Sequence, residues 1–164
     1  MELVDKFIYL GSCISPGGLI KDEVTLRIGK ARAAFSSLQL LWRRRDIRLS
    51  IKGRYYKAAL RSVLLYGSET WALQKEDLRK PTVFDHRCLR SIARIWWGHR
   101  ISNAEVRRRV LGRHARTLGE LTSLHRLRCL GHVLRMPLER LPKRALFTQP
   151  CIGWKRSIGG QPMT

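Results

Sequence analysis

Between residues 24 and 42 the apolar positions fall at Val24, Ile28, Ala31, Phe35, Leu38 and Trp42, in alternating steps of four and three. That period predicts one long amphipathic helix with a single seam. Asp22 and Glu23 open it, where a first turn favours acids, and "WRRRDIRLS" closes it. Ser50 is placed to cap a second helix, about Ile51 to Leu65, with Tyr56, Ala59, Leu60 and Val63 on one side and Arg54, Lys57 and Arg61 on the other. "YGSETW" reads as a turn. Pro81 suits the first turn of a third helix, about Thr82 to Trp97. There Leu89, Ile92 and Trp96 face one way and Arg87, Arg90 and Arg94 the other. Ser102 and Glu105 form a Ser-x-x-Glu capping pattern for a short helix carrying Arg107, Arg108 and Arg109. A last long helix, about Leu118 to Met136, has an apolar side of Leu124, Leu127, Leu130 and Leu134.

Only the start of the chain departs from this period. "FIYLGSCIS" (Phe7 to Ser15) is aromatic and β-branched, and "SPGG" ends it with turn chemistry. The predicted fold class is mainly α, a helical bundle with a short N-terminal β-strand or hairpin. No second strong strand follows, so strand partners are expected outside this chain. Residues 148–164 read as a loose tail.

Charge changes the picture. The 164 residues carry 33 Lys and Arg against 12 Asp and Glu, a formal net charge of +21. Such an excess repels itself when compacted and calls for a polyanion. Each of three helices sets a basic stripe opposite its apolar face. A solvated outer face accounts for any single stripe; three with almost no interleaved acid fit a phosphate backbone better. A membrane surface is the weaker alternative, because the basic residues run along the whole chain rather than one helix. No apolar run nears the roughly 20 residues of a membrane span. The N-terminus has no basic leader, and the four cysteines form no CxxC. The expectation is an intracellular protein, nuclear or cytoplasmic, not secreted, with free thiols.

Candidate chemistry is sparse. His125, Cys129 and His132 share one helical face, but they span about 10 Å along the axis, too far for one ion. Arg128 and Arg135 on the same face repel a cation. His86 and Cys88 point apart on their helix. The acids include no DxD, no HExxH and no strand-borne pair, and there is no GxSxG or P-loop. Cys88 reads as a buried structural thiol. Trp42 and Trp96 complete apolar seams, which leaves Trp97 as the candidate for stacking on bases.

Taken in order, "FIYLGSCIS", "RIGKARAAFSSL", "LLYGSETWAL", "FDHRCLRSIARIWW", "SNAEVRRR" and "RLRCLGHVLRM" with "LPKRALF" resemble the C-terminal part of reverse transcriptases from LINE-type, non-LTR retrotransposons. The resemblance runs from about Phe7 to Thr164. It implies an end-of-palm, primer-grip-like strand over residues 1–18 (Phe7, Tyr9, Leu10 and Gly11), thumb-like helices over 19–73, and a basic post-thumb region over 74–147. It also implies that fingers and palm, with the Mg²⁺-binding aspartates, lie upstream. The chain is then a fragment without catalysis, metal or cofactor of its own. It holds RNA, DNA or an RNA–DNA hybrid beside its parent palm, through Arg54, Lys57, Arg61, Arg87, Arg90, Arg94, Arg107, Arg108, Arg109, Arg128 and Arg135. Where the family usually has "RLRWLGH" this chain has Cys129, which looks like a replacement for a packing tryptophan. Pro81 is a second departure. Two further readings compete with this one: an enzyme with its own catalytic acids, and a basic helical adaptor for an acidic protein.

Overall fold

A computed structural model describes residues 7–9, 12–14, 20–71, 77–96 and 98–147, with residues 7–9, 12–14 and 20 described by backbone alone. The described residues are mainly helical. The backbone of β1 (Phe7–Tyr9) pairs antiparallel with β2 (Ser12–Ile14). Leu10, Gly11, the "SPGG" turn, Trp97 and the tail over 148–164 lie outside the described residues, as do the side chains of Phe7 and Tyr9. The helices are α1 (Ile20–Ser37), α2 (Gln39–Arg43), α3 (Leu49–Tyr55), a π-helical stretch (Tyr56–Arg61), α4 (Ser62–Leu64), α5 (Arg79–Ala93), α6 (Asn103–Leu111), α7 (Leu118–Arg135) and α8 (Leu141–Phe147). The chain divides into two compact units, Met1–Leu127 and Arg128–Thr164. The boundary expected between residues 73 and 74 runs through the first unit, whose core draws on both sides of it.

The predicted seam of the first helix is used, but the helix is broken. Val24, Ala31 and Trp42 are buried, and Ile28, Phe35 and Leu38 pack beside them. Leu38 leaves the helical region (φ −95°, ψ 16°) and separates α1 from α2. The break lets Trp42 fold back: its indole N–H donates to the Phe35 carbonyl at 2.9 Å, and its ring stacks on Phe35 with centroids 5.5 Å apart.

The second helix begins two residues earlier than predicted. Arg48 is its N-cap, without a side-chain bond, and Ser50 lies inside the first turn. The carbonyl of Arg48 takes both the Ile51 and the Lys52 N–H. Lys52 is buried. Its ammonium donates to the carbonyls of Trp42 (2.9 Å) and Arg44 (2.5 Å), tying the α2–α3 loop shut. Burial first, and then the charge of Arg94, hold this ammonium below its ordinary pKa.

The main core cluster joins Trp42, Tyr56 and Leu60 to Cys88, Leu89 and Ile92 of α5 and to Val106, Val110 and Leu111 of α6. A second cluster gathers Ala31, Leu64, Leu65 and Leu118. Pro81 is buried in the first turn of α5, which opens at Arg79, three residues before the predicted start. The helix ends early too. Arg94 adopts the left-handed conformation (φ 55°, ψ 39°) and terminates it. Trp96 therefore does not extend the Leu89–Ile92 seam. It stands 72% exposed, where core packing had been expected. Ser102 caps α6 as predicted, accepting from the Glu105 N–H at 3.2 Å. A reciprocal box that the sequence reading passed over opens α7. The Glu120 N–H donates to Thr117 Oγ1 (3.2 Å), and the Thr117 N–H to Glu120 Oε2 (2.9 Å).

In the first unit, α7 buries Leu118 and Thr122 and packs Leu121 beside them. The predicted apolar side of its later turns is uncovered: Leu127, Leu130 and Leu134 are exposed. Within the second unit, Lys143 of α8 donates to the carbonyls of Leu134 (3.0 Å) and Met136 (2.8 Å).

Helices α3 and α6 approach most closely at Gly53, where a Cβ would collide with the Val110 carbonyl. Val110 is backbone-locked in α6, so the clash has no flexible side chain to relieve it. Gly53→Ala is expected to destabilise the chain by about 1–3 kcal/mol, the range for overpacking. An unchanged urea midpoint would mean that the helices separate without cost.

Candidate nucleic-acid interface

The basic residues fall into three environments, and helical-face arithmetic separates only some of them. Arg54, Lys57 and Arg61 sit at i, i+3 and i+7, one stripe of a regular α-helix. The π-helical stretch Tyr56–Arg61 breaks that regularity. A π-turn holds one residue more than an α-turn, so the residues that follow are set back around the axis. Arg54 and Lys57 stay outside. Arg61 is carried into the core.

Arg61 is thus a correction to the expected stripe. It is 6% exposed. Its Nε donates to Asp85 Oδ1 and its Nη2 to Asp85 Oδ2, both at 3.0 Å. Tyr56 Oη donates to Asp85 Oδ1 at 2.7 Å, and Arg61 Nη1 reaches the Arg116 carbonyl at 3.2 Å. Three of the five guanidinium N–H groups, and both carboxylate oxygens, are thus engaged within the protein. Burial first, with the charge of Asp85 next, pushes the Tyr56 phenol well above its ordinary pKa. Arg61 is committed to Asp85 in the core and does not stand on an exposed stripe.

Arg90 and Arg94 are engaged to different degrees: Arg90 is half-buried and Arg94 exposed. Arg90 Nη1 donates to the Ile101 carbonyl (3.0 Å) and Asn103 Oδ1 (3.2 Å), and its Nη2 to the carbonyls of Trp96 (3.0 Å) and His99 (3.3 Å). One guanidinium organises the whole α5–α6 loop. Arg94 donates through Nη2 to the Arg43 carbonyl. Arg108 and Arg109 are exposed, but both bond Glu105, at 2.8 Å each. These bonds hold the Glu105 carboxyl below the usual carboxylate range. Arg107 is half-buried on the same helix.

Arg54 and Arg87 are exposed, and no carboxylate is paired with either among the described residues. Lys57 is exposed while its ammonium reaches the Leu111 carbonyl at 3.2 Å. Within the second unit, Arg128 and Arg135 are exposed.

Two cavities of the first unit are lined by cations. One, of about 510 Å³, brings Lys57, Arg61 and Ser62 together with His114, Arg116 and His125. His125 is oriented there by Ser68, whose buried hydroxyl lies 3.0 Å from its Nδ1. His114 and Arg116 were missed in the sequence, because they sit in a loop with no periodicity to flag them. The other, of about 480 Å³, is lined by Arg87, Arg90, Ser91, Arg94, Ile95 and Trp96. Among the described residues, no three His, Cys, Asp or Glu side chains come together as a metal-binding group, and no helix is long and apolar enough to cross a membrane. No protein-family model, no curated protein and no solved structure matches the chain.

Two predictions follow from the buried groups. Asp85→Ala strands the Arg61 charge and is expected to cost about 3–5 kcal/mol. Replacing both partners by apolar residues (Arg61→Met with Asp85→Leu) should recover most of that. Equal losses in single and paired variants, measured by urea unfolding, would show that the pair itself is not the cause.

Burial, with Asp85 next, also pushes the Cys88 thiol from 9.0 up to about 12. Its folded-state pKa is raised, so the native state keeps a proton that the unfolded state releases first. The stability this contributes is fully present below about 9 and is lost as pH rises toward about 12. The raised Tyr56 phenol acts in the same direction. In urea titrations across that range, Cys88→Ala should show a shallower alkaline loss than the parent chain; parallel curves would contradict the buried thiol.

Proposed function

We propose that this chain is a helical nucleic-acid-binding module, the thumb-like and post-thumb part of a LINE-type reverse transcriptase, with fingers and palm upstream. The sequence resemblance supports the parentage. On this reading β1 and β2 end the palm in primer-grip fashion, and the work of the chain is to hold template and primer by their phosphates. It contributes no catalysis of its own, the Mg²⁺-binding aspartates being those of the parent palm. Its place is intracellular, nuclear or cytoplasmic, where the RNA and the target DNA are.

The observation that carries the binding function is how the few carboxylates are spent. Asp85 is buried on Arg61, and Glu23 lies buried beside Arg27 with their atoms 2.7 Å apart. Glu105 serves Arg108 and Arg109, Asp46 serves Arg44, and Glu120 closes a helix cap. These five of the twelve acids thus serve internal or local needs, Glu69 and Glu139 stand exposed, and with 33 Lys and Arg in the chain the cations predominate. Ordinary surfaces mix both signs. Arg54 and Arg87 in the first unit, and Arg128 and Arg135 in the second, are the best placed for phosphate. Contacts of this kind position a strand without reading its sequence.

Binding to single strands, duplexes and RNA–DNA hybrids is expected to weaken steeply with salt. If about six to ten phosphates are met, affinity should drop by roughly 10³ to 10⁵ between about 50 and 200 mM salt. Arg54→Ala and Arg87→Ala should each lower the logarithmic salt slope by about one. Arg108→Ala and Arg109→Ala should change it less, because Glu105 already occupies those guanidinium groups. A flat salt response, or capture of an acidic protein in preference to heparin and RNA, would favour the adaptor reading and end this one.

A further inference from the structure

The cavity beside the end of α5 has a feature that phosphate binding does not require. An indole is held out in water on a fixed backbone. The Trp96 N–H donates to His99 Nδ1 at 3.1 Å, and the Trp96 carbonyl accepts from Arg90 Nη2 at 3.0 Å. Arg90 is anchored in turn on Ile101 and Asn103. Arg94 supplies the left-handed turn that ends the helix, and Ile95 packs against the core cluster. The next residue is thereby turned outward. An exposed tryptophan forgoes one of the largest apolar burials available to a side chain. Here hydrogen bonds from its N–H and to its carbonyl fix the backbone from which the indole projects.

The surroundings define the ligand. Arg87 and Arg94 stand in the same cavity of about 480 Å³, Ser91 adds a hydroxyl, and among the described residues no carboxylate lines it. A flat π-face flanked by guanidinium groups suits a planar, electron-poor ring carrying negative charge on either side. An unpaired base with its two flanking phosphates has that form. A base inside a duplex has both faces already stacked and cannot reach the indole. We propose that Trp96, with Arg87 and Arg94, is a stacking site for one unpaired base of a single-stranded RNA or DNA segment. This deepens the nucleic-acid reading and rests on it: the open arginines hold strands of any kind, and Trp96 selects those with an accessible base.

The test compares a short oligothymidylate, an abasic strand of equal length and a duplex, all binding the full chain. The parent chain should bind the base-bearing strand about tenfold more tightly than the abasic one, the scale of one base–aromatic stack. Trp96→Ala should bring that ratio close to one, and Trp96→Phe, which keeps a π-face, should retain most of it. Duplex and abasic binding should be unchanged in both variants. Because Trp96 is exposed, the urea midpoint should not move, which separates loss of the site from loss of the fold. A ratio of one in the parent chain, or a ratio that survives Trp96→Ala, overturns the stacking site while the salt-dependent phosphate reading stands. Failure to bind any strand, or displacement of all strands by an acidic peptide, overturns both.

Discussion

The first unit is organised around one desolvated carboxylate. Asp85 sits on α5 among Cys88, Leu89 and Ile92, where an unpaired charge would be prohibitive. Arg61 covers both of its oxygens, Tyr56 shares one, and a third guanidinium N–H goes to the Arg116 carbonyl. A pair of this kind adds little net stability over an apolar replacement. What it contributes is position. Asp85 can be satisfied only if Arg61 reaches it, and Arg61 reaches it because the helix widens to a π-turn between Tyr56 and Arg61. The same turn keeps Lys57 at the surface and places Leu60 and Leu64 against their respective clusters. The loop beyond α6 is pinned by the same guanidinium, so one ion pair sets the register of three segments distant in sequence.

This explains which parts of the fold were readable from sequence. Helical period alone located the buried positions Val24, Ala31, Trp42, Leu60, Leu89 and Ile92, because those turns are regular and each apolar residue has something to pack on. It failed where the backbone leaves the regular 100° step. Arg61 was placed outside because face arithmetic assumes an α-turn throughout. The available clue was Asp85, a lone acid between apolar residues of a basic helix, which must have a cation somewhere. Trp96 was placed inside because a seam was extended past a helix end. Nothing in "SIARIWW" announces a left-handed turn at an arginine, a conformation that costs any residue but glycine and that tertiary contacts impose here. The broken first helix has the same origin, for Leu38 is a good helix former displaced by the fold-back of Trp42. Predicted features on residues 10–11, 15–18 and 148–164, and Trp97, lie outside the described residues.

The site was legible in its chemistry and less so in its membership. Composition announced a surplus of cations, and the stripes suggested faces. Yet a face says only where a side chain starts. Arg90 leaves the expected stripe of α5 and folds its planar fork over four acceptors of the following loop. A lysine, with a point charge and no fork, could not replace it. Lys52 and Arg61 are likewise spent on carbonyls and a carboxylate. Part of the arginine surplus is therefore scaffold, and counting cations overstates the interface.

The same accounting works on the other sign, and more strongly. A protein short of acids that still buries Asp85 and Glu23 on arginines, and commits Glu105 to two more, leaves few carboxylates to offset its remaining cations. Each buried pair removes one charge of either sign, so the excess of +21 stays with the remaining residues, and its repulsion has to be met by counterions or by a partner. Mobile ions would meet it diffusely and would not need Trp96 to be held in water by two backbone hydrogen bonds. A polyanion with planar faces meets the charge and the indole together. That joint requirement, rather than the net charge by itself, is why we propose a single-stranded nucleic acid for this surface in place of an acidic protein.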